Sequence, residues 1–207
     1  MLSKILLVVV GALAFASSIA APANAANIYA QPRPNGAGGT FIYIQGEINL
    51  GDEQTFASLN PVAPVYVVPS GPGGNVHAAL AISDMIWQRG YNTLIGNGYT
   101  CASACALIWA SGYSHHAITG TNALLRFHSC AIYDQDDLGC DVTIGRHLLM
   151  YGFTRRQAVA MLTTPHETTL LATKPLAAYL GFRWQWLPST LPGAADRCMA
   201  RLCILTA

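Results

Sequence analysis

The chain has 207 residues, of which 52% are apolar and only 10% charged. Its 11 Lys and Arg nearly balance 10 Asp and Glu, for a formal net charge of +1. That composition excludes a disordered tail, and it supplies no basic surface for DNA, RNA or acidic lipid.

Residues 1–25 read as a secretory signal. Lys4 supplies the positive start, Ile5 to Phe15 an apolar run, and Ala23-Asn24-Ala25 a small-x-small cleavage site after Pro22. The mature protein is expected to begin at Ala26, in the periplasm or beyond. No later stretch reaches the ~18 uninterrupted apolar residues of a membrane span, so none is expected once the signal is removed. Residues 26–39, rich in Pro, Gly, Asn and Ala, are expected to form a flexible lead-in, and residues 40–207 a single domain.

Thr40 to Ile48 is β-branched and aromatic and predicts a strand, and residues 53–60 a short helix. Pro64 to Val68 is a continuous apolar run of the kind buried on both faces of a parallel sheet. It ends in Pro69-Ser70-Gly71-Pro72-Gly73-Gly74. From Asn75 to Arg89 the apolar residues recur at helical spacings, and Gly90 stops the helix. Asn92 to Gly96 predicts a third strand, Ala102 to Ser111 a helix of small apolar residues, and Asn122 to His128 a fourth strand. Helices are predicted over Thr143–Tyr151, Thr154–Leu162 and Thr173–Leu180. Alternating strands and helices imply an α/β domain with a mostly parallel sheet.

Six cysteines, Cys101, Cys105, Cys130, Cys140, Cys198 and Cys203, all follow the signal. An even number in an exported chain points to disulfides, with 15 possible pairings for six. Cys130 with Cys140 could staple an acidic loop, Cys198 with Cys203 a C-terminal one, leaving Cys101 for Cys105. No C-x2-C pair suggests zinc or a dithiol redox site, and neither metal nor cofactor is expected.

Three features carry chemistry. Gly73 and Gly74 lack Cβ and precede a helix, so backbone N–H groups there can approach an anion. Ser103 sits among very small residues at the head of an apolar helix, where a nucleophile finds donors for a tetrahedral intermediate. His128 ends an apolar strand and could serve as general base. His115 and His116 are expected in a surface loop, and Asp134, Asp136, Asp137 and Asp141 in a solvated acidic one.

Together these motifs resemble the Clp protease proteolytic subunit and its relatives in the ClpP/crotonase fold. Phe41 to Ile48 is similar to that family's first strand and turn, and Val65 to Gly74 to its second strand and Ser-Pro-Gly-Gly turn, with Gly71 as an extra residue. Ala102-Ser103-Ala104 is similar to its nucleophile segment and Phe127-His128-Ser129 to its base. The order and spacing of Gly74, Ser103 and His128 match the family layout. The resemblance runs from Thr40 to His128 and more weakly to Phe182.

The resemblance implies a spiral of βαβ units around a mostly parallel sheet, Ser103 as nucleophile, His128 as base, and the N–H groups of Gly74 and Ala104 as oxyanion hole. The family's triad acid falls in Thr164 to Thr169, where Glu167 is the candidate. It further implies a serine peptidase, with homo-oligomers possible. The signal and cysteines depart from a cytosolic member. Outside the cytoplasm, where no ATP-driven unfoldase works, the activity is expected to be ATP-independent and confined to peptides or unfolded protein. A Ser–Lys mechanism would rest on Lys174, the single lysine left after the signal, and CoA chemistry is disfavoured outside the cytosol. The alternative is a catalytically inactive member of the fold acting as a binding or assembly module.

Overall fold

The computed structural model describes residues 25–33, 38–96, 98–119, 124–133, 135–168, 170–171 and 184–188. The expected signal peptide (except Ala25), the Thr173–Leu180 helix, Asp134, Cys198 and Cys203 lie outside these residues.

The protein is mixed α/β. A six-stranded sheet runs β1 (Asn27–Pro32), β2 (Thr40–Gln45), β3 (Val65–Ser70), β4 (Asn92–Ile95), β6 (His115–Thr119) and β11 (Trp184–Pro188). Pairing is parallel from β2 to β11, and β1 is an antiparallel edge. β1 corrects the expectation of a loose lead-in. Its backbone pairs with β2 from Asn27 against Gln45 to Pro32 against Thr40, and Tyr29 stacks on Tyr43 at 5.1 Å. The pairing surface, not the composition of the segment, decides its structure.

Helices α1 (Asp52–Ser58) and α2 (Val76–Gln88) fall close to their predicted positions. The Asn75 side chain caps α2 by accepting from Ala78 N at 3.0 Å. Helix α3 (Ala104–Ala110) is buried at all seven positions, which its small residues permit: it packs against both α2 and the sheet strands β3 and β4. Ile42, Ile44, Val67, Ile82, Ile86, Ile108 and Trp109 share its core. Helices α4 (Leu138–Met150) and α5 (Arg155–Leu162) follow, capped by Asp137 and by a Thr154/Gln157 capping box. α4 begins five residues before the predicted Thr143, because Asp137 supplies the cap.

The predicted fourth strand, β7 (Leu124–Phe127), does not join the main sheet. It forms a second sheet, parallel to β5 (Thr100–Ala102) and antiparallel to β10 (Leu170–Leu171). A two-residue hairpin, β8 (Ala131–Ile132) with β9 (Gln135–Asp136), follows.

His115 and His116 are not in a surface loop. They open β6, opposite Thr93 and Leu94 of β4. The His115 ring lies 4.7 Å from that of Trp109 and 5.5 Å from that of Phe153, and its Nε2 donates to Ala110 O at 3.0 Å. His116 is buried against Ser114 and the Tyr66 ring. Burial pushes the His115 imidazole down to about 4, overcoming the opposing Ala110 carbonyl.

Candidate active site

Two strand ends create the site. β5 and β7 are parallel neighbours with Ala102 opposite Arg126, and Ser103 N donates to Arg126 O at 3.0 Å. Parallel neighbours lie only ~4.8 Å apart, so the residues leaving both strands, Ser103 and His128, enter one cavity. Its volume is about 230 Å³, and it is lined by both of them with Gly74, Ala104, Ser129 and His166, over an apolar floor that includes Leu107 and Phe127.

Ser103 joins β5 to α3 at φ 56° and ψ −128°. An L-residue held there carries ~1–3 kcal/mol of backbone strain. The cause is visible in the packing: Ser103 N is fixed to β7, and Ser103 O already accepts from Ala106 N and Leu107 N in the first turn of α3. The turn must therefore complete within one residue. The disulfide Cys101–Cys105 spans that turn, with Ser103 midway between its two half-cystines.

The glycine turn closes over the serine. A Cβ on Gly73, which stands at φ +112°, would fall 2.6 Å from Ser103 Cβ and 3.0 Å from Ala104 N. Gly71, the extra residue, has its own reason. Its N donates to Thr100 O and its O accepts from Ala102 N, tying the β3 exit to β5, while a Cβ would meet Gly46 O at 2.1 Å. Ile48 bridges to Gly74 through Gly73 O and Asn75 N. In such a parallel bridge the N–H of Gly74 itself points away from Ile48. The N–H groups of Gly74 and Ala104 have no backbone acceptor among the described residues.

His128 Nδ1 lies 2.6 Å from Ser129 O. A carbonyl can only accept, so Nδ1 carries the proton and Nε2 is left with its lone pair. The strand exit is held on several sides. Ser129 N donates to Thr164 O at 2.7 Å, Cys130 N donates to Asp141 Oδ1 at 2.7 Å, and Asp137 N donates to Cys130 O at 2.8 Å. The disulfide Cys130–Cys140 ties the same segment to α4.

Glu167 does not meet His128. Its carboxylate lies 3.7 Å from His166 Nδ1 and its side chain is 67% exposed. The backbone beyond α5 turns at Pro165 and directs His166, not Glu167, to the cavity. The expected Glu167–His128 contact is therefore not formed. The acidic stretch is not merely solvated, since it orders the exit of β7. Asp136 accepts from the Ser129 hydroxyl and from His166 Nδ1, and these two hold its carboxyl below the ordinary range. Asp137 caps α4, and Asp141 holds Cys130 N–H. Burial raises the Asp141 carboxyl above its usual range, against the Cys130 N–H.

Ser129 and His166 carry no role in the sequence reading, and Asp141 is expected there only as part of a solvated acidic loop. The one available signal was Asp137 three residues before Cys140, an N-cap spacing that turns the acidic stretch back toward β7. Two disulfides among the described residues fit an oxidising compartment, and no described helix is long and apolar enough to cross a membrane. No protein-family model matches the chain, and no curated protein matches it in sequence.

Proposed function

We propose that the chain is an exported, ATP-independent serine hydrolase of ClpP/crotonase-like fold, cleaving peptides or unfolded protein through an acyl-enzyme on Ser103. One observation carries the reading: a strained serine at the head of a buried helix shares a cavity with a histidine whose Nε2 is left as the basic nitrogen. Backbone strain at a half-buried residue, held by the surrounding fold, clusters at functional turns.

In this reading Ser103 Oγ attacks the acyl carbon and its proton passes to His128 Nε2. The oxyanion forms against the N–H groups of Gly74 and Ala104, each such donor being worth roughly 10²–10³ in turnover. Collapse of the intermediate breaks the acyl bond, and His128 returns the proton to the leaving amine. Water then repeats the sequence on the acyl-serine. The cavity shared by Ser103 and His128 and the close fit of Gly73 over Ser103 support this reading, which gives Glu167 no part.

The test is covalent labelling of oxidised protein by a fluorophosphonate. Ser103 is expected to be the labelled residue, Ser103→Ala to abolish labelling, and His128→Ala to slow it at least about a hundredfold. A folded, oxidised wild type that does not react would replace this reading with the inactive binding module.

A further inference from the structure

Among the described residues no carboxylate bonds to the imidazole, so another group must stabilise the charge that His128 acquires. The acceptor of the Nδ1 proton is the carbonyl of Ser129, at 2.6 Å. That carbonyl and the N–H of Cys130 belong to one peptide unit, and the N–H donates to Asp141 Oδ1 at 2.7 Å. The three groups form a continuous line: imidazole N–H, peptide C=O, peptide N–H, carboxylate.

We propose that Asp141 is a positioning residue for His128, acting through the Ser129–Cys130 peptide unit in place of a direct triad acid. The inference rests on the serine-hydrolase reading above. An anion at the N–H end of an amide pulls electron density toward the carbonyl oxygen. Hydrogen bonds in such chains strengthen one another, and one made to an ionised group is stronger and shorter than a neutral one. The Ser129 oxygen therefore binds the Nδ1 proton more firmly than an isolated carbonyl would. It holds the tautomer with Nε2 free and favours the imidazolium formed when Ser103 is deprotonated. No proton travels along the line: Nδ1 keeps its hydrogen and the Cys130 amide keeps its own.

The rest of the loop serves the same peptide. Cys130 O accepts from Asp137 N, Cys130 is bonded to Cys140, and Asp141 follows Cys140 directly. The Ser129 hydroxyl is held by Asp136. The acidic stretch between the two half-cystines thereby fixes the peptide plane on which His128 leans.

The experiment uses the full oxidised chain and Asp141→Asn, which removes the charge but keeps an oxygen for Cys130 N–H. The expected result is a fluorophosphonate labelling rate lowered about 10- to 100-fold, less than the ~10⁴-fold of a directly bonded triad acid. Nitrogen-15 NMR of His128 should show the Nδ1–H tautomer dominant in the wild type and mixed with the Nε2–H tautomer in the variant. A merely structural Asp141 would leave the tautomer unchanged. Labelling within about twofold of wild type with an unchanged tautomer would overturn the proposal. If the wild type is not labelled at Ser103, the hydrolase reading fails, while the tautomer comparison still decides the relay. If Asp141→Asn does not fold, the wild-type spectrum decides: a dominant Nε2–H tautomer overturns the proposal.

Discussion

Replacing the candidate nucleophile by glycine should make the protein more stable. Ser103 stands at φ 56° and ψ −128°, a region open to glycine and costly for any residue with a Cβ. The cost released is ~1–3 kcal/mol. Against it stands the greater freedom of a glycine in the unfolded chain, about 0.4–1 kcal/mol. The Ser103 side chain makes no capping hydrogen bond to α3, so its loss adds little. Ser103→Gly should therefore exceed Ser103→Ala in stability by about 1 kcal/mol, since alanine keeps the Cβ and the strain. For a domain of this size that is a rise in Tm of roughly 2–4 °C. The assay is urea or thermal unfolding of the oxidised wild type, Ser103→Ala and Ser103→Gly, followed by far-ultraviolet circular dichroism. Equal slopes against urea would confirm that one transition is being compared. A glycine variant less stable than the alanine variant would show that the turn is relaxed, and would remove strain from the argument for function.

Two further outcomes follow from the same geometry. Gly73→Ala should lower stability by at least about 2 kcal/mol and labelling at least a hundredfold, because the new Cβ meets Ser103 Cβ at 2.6 Å and the backbone N of Ala104 at 3.0 Å; wild-type reactivity would place Gly73 away from the site. Folded His115 resists protonation down to about 4 whereas the unfolded residue binds a proton near 6.5, so stability should be full above about 6.5 and fall as pH drops toward 4, by up to about 3 kcal/mol. His115→Phe should remove that share of the acid loss, and identical pH profiles for variant and wild type in urea unfolding would refute it.

What the sequence determined by itself is whatever local physics controls. Alternation, apolar runs and caps placed β2, β3, β4, α2 and α5 within a few residues, because their own side chains form the buried faces. The order of the glycine turn, Ser103 and His128 was legible too, since each follows a strand or opens a helix. The Cys101–Cys105 and Cys130–Cys140 bonds were among the readable pairings, being short closures in sequence.

Tertiary structure decided everything that depends on a partner strand or a buried neighbour. β1 lies in a segment rich in Pro, Gly, Asn and Ala, and it is a strand because β2 offers an open edge. His115 and His116 look like loop residues until β4 pairs with them and Trp109 covers one ring. β7 resembles another strand of the main sheet, yet it pairs with β5, and that pairing sets Ser103 and His128 on one cavity. Glu167 stood at a plausible distance along the chain, but the turn at Pro165 sends its carboxylate to solvent beside His166. Asp141 sat in a stretch that composition marks as solvated. Its role is set by one peptide group, the Ser129–Cys130 amide, whose two ends meet a histidine and a carboxylate only when the chain between the half-cystines folds back on itself.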